Sequence, residues 1–257
     1  LFPYTTLFRS AELYLVKSLG NMEPTYTVQR KLYKISASSA HPASKELARY
    51  TVSRIKKQLL KDLDNNYIYN AMHGKEILRW DIKSFPLKIY FENLNVVPLY
   101  YKESIFKAME QWEKRTGFVK YVQTTDKNSA QIYVVFRDIN ISECANNKEC
   151  KYTVAYTEPV IDTQNVLKRY NFIFYKTNPL GENYSSTEVY NTTLHELGHA
   201  LGLMGHSDNP NDVMYANNDR ASDVYSKHRS DFQYISLRDL RTIALLYSLA
   251  PTISNVK

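Results

Sequence analysis

The sequence contains no apolar run long enough to cross a membrane, no internal repeats and no nucleic-acid-binding motif. A membrane span needs about 18 consecutive apolar residues, and no stretch approaches that length. With 44% apolar content in 257 residues, the chain can bury a core in one domain, or in one domain plus a helical appendage. The net charge of +7 favours anionic surroundings. Because the basic residues are scattered without aromatic-rich patches, we expect no nucleic-acid partner.

Cysteine is scarce, and both copies lie in one polar loop, "ISECANNKECKY". We favour a short disulfide-closed loop between Cys144 and Cys150 over two incidental reduced thiols. A disulfide would indicate an oxidising compartment, and therefore a secreted or extracytoplasmic protein.

The beginning of the chain needs separate treatment. Residues 2–10 resemble the translation of a sequencing-library adapter, so we interpret residues 1–10 as an artefact. An export signal is then not observable. Residues 11–75 are predicted to form a helical region, because Leu47, Thr51, Ile55, Leu59 and Leu63 recur at intervals of four along its second half. This region is either propeptide-like or an extra helix packed on the domain that follows it, and the sequence leaves both open.

Residues 76–250 alternate between strand and helix patterns, and residues 251–257 are a tail. "FPLKIYFEN", "AQIYVVFRD" and "RYNFIFYKT" have the β-branched and aromatic content of strands, and "YKESIFKAMEQWEKRTG" has the periodicity of a helix. Two more helices are predicted, one from Ser185 to about Gly202 and one beginning at Ser236. This order predicts an α+β fold, an α/β sandwich whose mixed sheet contains at least one parallel crossover.

The stretch "TTLHELGHALGLMGHSDNPNDVMYA", residues 192–216, carries the chemistry. Residues four apart share one face of a helix, so His195 and His199 can bind the same metal ion, and Glu196 can reach a water molecule on that ion. This spacing is the HExxH pattern. Gly202 follows at the point where a left-handed residue would end the helix and turn the chain back towards the metal.

A third ligand must come from farther along the chain. No glutamate occurs after Glu196, which excludes a distant glutamate. The remaining candidates are His206, His228 and the two nearest aspartates, Asp208 and Asp212.

This part of the chain resembles the matrixins, a branch of the metzincin zinc peptidases with the pattern HExxHxxGxxH followed by a turn that contains methionine. The resemblance extends over about residues 76–250 and places Met214 of "NDVMY" in this Met-turn, below the metal. The spacing departs from the family at one point, since Gly205 stands where matrixins have the third histidine and His206 follows it. We interpret this as a one-residue expansion of the turn, with His206 as the third ligand and with Gly202 and Gly205 both adopting backbone angles closed to other residues.

The resemblance implies a zinc-dependent endopeptidase with one catalytic zinc ion and a polypeptide substrate extended along a sheet edge. It also implies a secreted protein that acts in the extracellular matrix. Carboxylates and carbonyls could hold calcium, but no EF-hand spacing is present, so calcium binding is left open. We expect the protein to be a monomer. Ala216 replaces the proline that usually follows the Met-turn, so substrate preference does not transfer. Two alternatives remain: a catalytically silent binding protein with the metzincin fold, and a zinc hydrolase of cell-wall peptides.

Overall fold

The computed structural model of the chain describes residues 12, 14–22, 26–139, 152–216, 231 and 233–255. The predicted disulfide between Cys144 and Cys150, the adapter-like residues 2–10 and the candidate ligand His228 lie outside these residues. Within the described ranges, no helix is both long enough and apolar enough to cross a membrane.

Five strands of the described residues form one mixed sheet in the order β2-β1-β3-β5-β4. The strands are β1 (Leu87–Glu92), β2 (Tyr121–Gln123), β3 (Ile132–Arg137), β4 (Ala155–Ile161) and β5 (Leu167–Tyr175). β1 pairs in parallel with β2 and β3, and β3 pairs in parallel with β5. β4 is antiparallel to β5 and forms one edge of the sheet. The predicted α+β fold with a mixed sheet is confirmed.

In the described part of the chain, the labelled helices are α1 (Tyr26–Ser38), α2 (Pro42–Lys61), α3 (Ile68–Ala71), α4 (Leu99–Thr116), α5 (Ser186–Ala200) and α6 (Leu237–Ser248). Residues 14–21 are also helical. Short 3-10 turns lie at Leu63–Asn65, Ile82–Ser84, Leu94–Val96 and Lys127–Ser129.

The helix α4 connects the parallel strands β1 and β2 and packs against α5. Its buried face includes Ile105, Met109 and Trp112, as its periodicity predicts. It ends at Gly117, whose φ of +71° is a conformation that glycine adopts without strain. The crossover therefore places α4 beside the helix that carries the HExxH pattern.

The N-terminal helices α1, α2 and α3 pack against the C-terminal helix α6. The α2 face that meets the core buries Thr51, Ile55 and Leu59, three of the residues that gave the predicted spacing. Leu47 is only partly buried against the core. The N-terminal region and the C-terminal helix thus share one apolar interior.

Candidate metal centre

The helix α5 begins with a complete capping box. The Ser185 hydroxyl accepts a hydrogen bond from the Glu188 backbone N–H at 3.2 Å, and the Glu188 carboxylate accepts one from the Ser185 N–H at 2.9 Å. Both donors would otherwise lack a partner inside the helix. The helix ends at Ala200, two residues before Gly202, whose φ of +104° turns the chain back as predicted.

The two tryptophans of the chain fix α5 against the core. The Trp112 indole N–H donates to the Leu194 carbonyl at 2.9 Å, next to the first histidine of the motif. The Trp80 indole N–H donates at 2.9 Å to the carbonyl of Ala200, at the helix C-terminus where carbonyls lack helical partners. Both side chains are fully buried. Hydrogen bonds from the two tryptophans therefore hold α5 on both sides of the HExxH segment.

Three histidines converge beside α5. One ring nitrogen from each of His195, His199 and His206 lies within 4.8 Å of the others, and the ring centroids are 4.8 to 5.2 Å apart. His199 is buried, His195 is partly buried and His206 is exposed. The sequence prediction named these three side chains, and the structure brings them together.

Backbone carbonyls orient two of the rings. His195 Nδ1 lies 2.7 Å from the Val213 carbonyl oxygen, and His199 Nδ1 lies 2.6 Å from that of Leu203. Because a carbonyl oxygen only accepts, each Nδ1 carries the proton, and each Nε2 is left with a free lone pair. A metal-binding histidine commonly has this arrangement.

The surroundings keep the rings neutral. Burial and the neighbouring His199 and His206 hold the pKa of His195 well below its usual range. Burial lowers the pKa of His199 to about 4, although its hydrogen bond to Leu203 opposes the shift, and burial also lowers the pKa of His206. Neutral imidazole is the form that binds metal ions, so the donor set fits a zinc ion.

The loop that carries His206 is attached to the predicted Met-turn. The Ser207 N–H donates to the Met214 carbonyl at 2.7 Å. The Met214 side chain is fully buried and packs against α5 at Gly198, between the first two histidines of the motif. The methionine therefore lies below the histidine cluster.

The alternative aspartate ligands are engaged elsewhere. Asp208 pairs with Arg238 at 2.8 Å. Asp212 pairs with Arg238 at 2.7 Å and accepts hydrogen bonds from Ser207 at 2.5 Å and from Ser236 at 2.6 Å. Neither carboxylate belongs to the histidine cluster.

Glu196 is buried within the site, and hydrogen bonds satisfy its carboxyl group only in part. Its side chain is 6% exposed, and its Oε2 atom has no hydrogen-bond partner among the described residues. Burial raises the pKa of this carboxyl group to about 7, while the nearby Thr157 hydroxyl on β4 opposes the shift. A carboxyl group with a pKa near neutrality can both accept and return a proton at physiological pH.

The predicted backbone conformation of Gly205 is wrong. Gly202 has the positive φ that was predicted, but Gly205 is not among the glycines with positive φ. Its α-carbon lies so close to the Asn70 carbonyl that an added Cβ would overlap that oxygen. Gly205 is required here for a close backbone approach and not for an unusual backbone angle.

Sequence patterns did not reveal the support of the Met-turn. The Asp239 carboxylate accepts hydrogen bonds from the Val213 and Ser236 N–H groups, both at 2.9 Å, and from the Tyr67 hydroxyl at 2.5 Å. The spacing of Ser236 and Asp239 is a second capping box, which could have singled out this aspartate. No local pattern points to Tyr67, which lies 172 residues away in sequence.

Comparison with models of protein families identifies the family to which this chain belongs. A family model described as matrixin matches residues 79–248, two thirds of the chain. The chain belongs to the matrixins. Comparison with curated proteins gives no significant match.

The predicted resemblance to the matrixins is thus confirmed. The matched range of this matrixin contains the whole sheet, α5, the three converging histidines and the Met-turn. At the level of the family, the chain is a metallopeptidase, and its histidine cluster is consistent with a zinc site. Tyr67 and α3 precede the matched range.

Proposed function

We propose that this matrixin is a zinc-dependent endopeptidase that hydrolyses internal peptide bonds of proteins or peptides. One observation carries the proposal: three neutral imidazole groups converge next to a buried glutamate that lacks a full set of hydrogen bonds. A purely structural histidine cluster has no need for such a carboxyl group, whose burial is unfavourable.

His195, His199 and His206 would hold one zinc ion through one ring nitrogen each, which is Nε2 for His195 and His199 because their Nδ1 atoms bond to carbonyl oxygens. A set of three protein ligands is typical of catalytic zinc sites, which also bind a water molecule. When bound, zinc would lower the pKa of that water and polarise the carbonyl group of the substrate.

Glu196 is the proposed general base and general acid. Its carboxylate takes the proton from the attacking water and then delivers it to the nitrogen of the leaving amine. The burial of this carboxyl group supports the role, because burial raises its pKa and makes the carboxylate a stronger base than an exposed glutamate.

The substrate is proposed to lie extended along the edge strand β4. Among the described residues, this strand pairs only with β5, and its other side is proposed to form the backbone hydrogen bonds to a peptide. β4 also contacts α5 and carries Thr157, the neighbour of Glu196. We further propose that the protein acts outside the cytoplasm, which is the usual setting of the family.

A library of peptides of varied sequence tests the proposed function. The full chain, loaded with zinc, is incubated with the library, with and without a chelator, and new termini are identified by mass spectrometry. Internal cleavage that stops with the chelator and returns with added zinc supports a zinc endopeptidase. Glu110→Ala, at an exposed site on α4, serves as a control that should retain all cleavage.

Two outcomes separate the alternatives. Zinc-loaded protein that cleaves no peptide but degrades purified cell-wall peptides would replace the proposal with a cell-wall hydrolase. Folded, zinc-loaded protein that cleaves neither substrate would indicate a silent member of the family that binds without turnover.

A further inference from the structure

We propose that residues 67–71, which precede the matrixin-matched range, position the metal-binding histidines and accommodate the extra residue in the loop before His206. This inference rests on the proposed zinc site, although not on peptide cleavage. It makes part of the N-terminal region a component of the metal centre.

The first contact involves the lengthened loop itself. The Met204 N–H donates to the Ala71 carbonyl at 2.8 Å. The next residue, Gly205, packs its α-carbon directly against the Asn70 carbonyl, where no side chain fits. Both carbonyls belong to the short helix α3. Met204 and Gly205, the two residues directly before His206, therefore lie against α3.

The second contact reaches the Met-turn. The Tyr67 hydroxyl donates to Asp239 Oδ1 at 2.5 Å, and Asp239 Oδ2 accepts from the Val213 N–H at 2.9 Å. The Val213 carbonyl in turn accepts the Nδ1 proton of His195 at 2.7 Å. Two groups, the Asp239 carboxylate and the Val213 backbone, thus connect the Tyr67 hydroxyl to the His195 ring.

The surroundings hold Tyr67 firmly in this position. Its side chain is 3% exposed, and its backbone N–H donates to the Thr242 hydroxyl at 3.1 Å. The Arg238 guanidinium lies over its ring, 5.5 Å from the centroid. The same guanidinium pairs with Asp212 in the Met-turn. Tyr67 is therefore part of the packing below the Met-turn and is not a peripheral contact.

Outer partners of this kind commonly change metal affinity by 10–100-fold, because they fix the orientation of the ligands. The Tyr67 hydroxyl acts through two intermediates, so we expect the lower end of this range. Removal of the hydroxyl in Tyr67→Phe should weaken zinc binding about 10-fold. The aromatic ring, and with it most of the buried apolar area, is retained.

The test compares Tyr67→Phe with Tyr184→Phe in the full chain. Tyr184 is equally buried, and its hydroxyl donates to the Thr177 carbonyl at 2.9 Å, away from the histidine cluster. Zinc affinity is measured by competition with a chelator, and the absorption spectrum of the cobalt(II)-substituted protein reports the geometry of coordination. Thermal unfolding of the metal-free proteins measures the purely structural effect of each change.

We expect Tyr67→Phe to weaken zinc binding and to alter the cobalt spectrum, whereas Tyr184→Phe changes only thermal stability. Unchanged zinc affinity and an unchanged cobalt spectrum in Tyr67→Phe would overturn the inference, even if the wild-type protein cleaves peptides. A wild-type protein that binds zinc but cleaves nothing would contradict the proposed function and leave this inference standing.

Amide hydrogen exchange of the wild-type protein gives a second test that needs no variant. Zinc binding should slow exchange in peptides that cover residues 67–71, because these residues are coupled to the ligands, and should leave α2 (Pro42–Lys61) largely unchanged. Equal exchange at residues 67–71 with and without zinc would overturn the inference.

Discussion

Gly198 on α5 and the Met214 side chain are in such close contact that a side chain at position 198 would force Met214 to move. A Cβ on Gly198 would overlap the Met214 sulfur and would lie 3.3 Å from the Trp112 ring atom Cζ2. The missing side chain lets the Met-turn pack against the face of α5 between His195 and His199. Gly198, the first of the three glycines between His195 and His206, therefore allows close packing below the histidine cluster.

We predict that Gly198→Ala lowers the free energy of unfolding by about 1–3 kcal/mol, the usual effect of an added group in a filled core. Met214→Ala alone should also destabilise, because it leaves a cavity. In the double variant the two effects should partly cancel, since the new methyl group enters the space left by Met214. Urea unfolding of the four proteins measures this coupling, and strictly additive losses would contradict the contact.

The role of His206 can be separated from that of the neighbouring aspartates. His206→Ala should weaken zinc binding by more than about 100-fold, because even changes to outer partners of a metal site cost 10–100-fold. Asp208→Ala should leave zinc binding unchanged, since its carboxylate pairs with Arg238. Chelator competition measures both affinities. Zinc binding that survives in His206→Ala but fails in Asp208→Ala would assign the third ligand to the aspartate.

Glu196 should make the stability of the metal-free protein depend on pH. Burial raises its pKa from 4.5 to about 7, so ionisation disfavours the folded state. The penalty is absent below pH 4.5, where the carboxyl group is protonated in both states, and it is fully developed above pH 7. Glu196→Gln removes it, and should therefore be more stable than wild type by up to about 3 kcal/mol at pH 8 but not at pH 4.5.

Urea unfolding in the presence of a chelator, at both pH values, measures this difference. The low pKa values of the cluster histidines affect both proteins alike and therefore cancel in the comparison. Glu110→Gln, on the exposed face of α4, provides the matched control. A stability difference between Glu196→Gln and wild type that does not change with pH would contradict the buried carboxyl group.

Two serine caps should differ in their effect on stability. Ser185 caps α5, and its hydroxyl bonds only with Glu188 among the described residues, so Ser185→Ala should cost about 1 kcal/mol. Ser236 caps α6 and also donates to the buried Asp212 at 2.6 Å. Ser236→Ala should therefore cost more, about 2–3 kcal/mol, because Asp212 loses a partner. Equal losses in thermal unfolding would show that the contact with Asp212 is unimportant.

Much of the sheet could be predicted because its central strands are apolar and regular. The predicted strands became β1, β3 and β5. The strand β2, Tyr121–Gln123, was missed because three half-exposed residues carry no pattern. The strand β4, Ala155–Ile161, contains Glu158 and Pro159, which a central strand would exclude but an edge strand tolerates.

In the metal site too, the residues set by a local sequence pattern were predicted, and the roles that depend on distant contacts were missed. His195, Glu196 and His199 lie within about one helical turn, so their arrangement could be predicted from their spacing alone. The need for glycine at position 205 could not be predicted, because it depends on the Asn70 carbonyl, which only the fold brings near. Tyr67 was missed for the same reason, since its partner Asp239 lies on the last helix.

We propose above that Glu196 transfers protons while the three histidines hold zinc. The first measurement to make is the kcat/KM of wild type and Glu196→Gln on one peptide that the wild-type enzyme cleaves, at equal and measured zinc content. We expect the variant to bind zinc normally and to lose activity by roughly 10²–10⁴-fold, the contribution of general acid–base catalysis. A zinc-loaded Glu196→Gln protein that cleaves the peptide at the wild-type rate would contradict it.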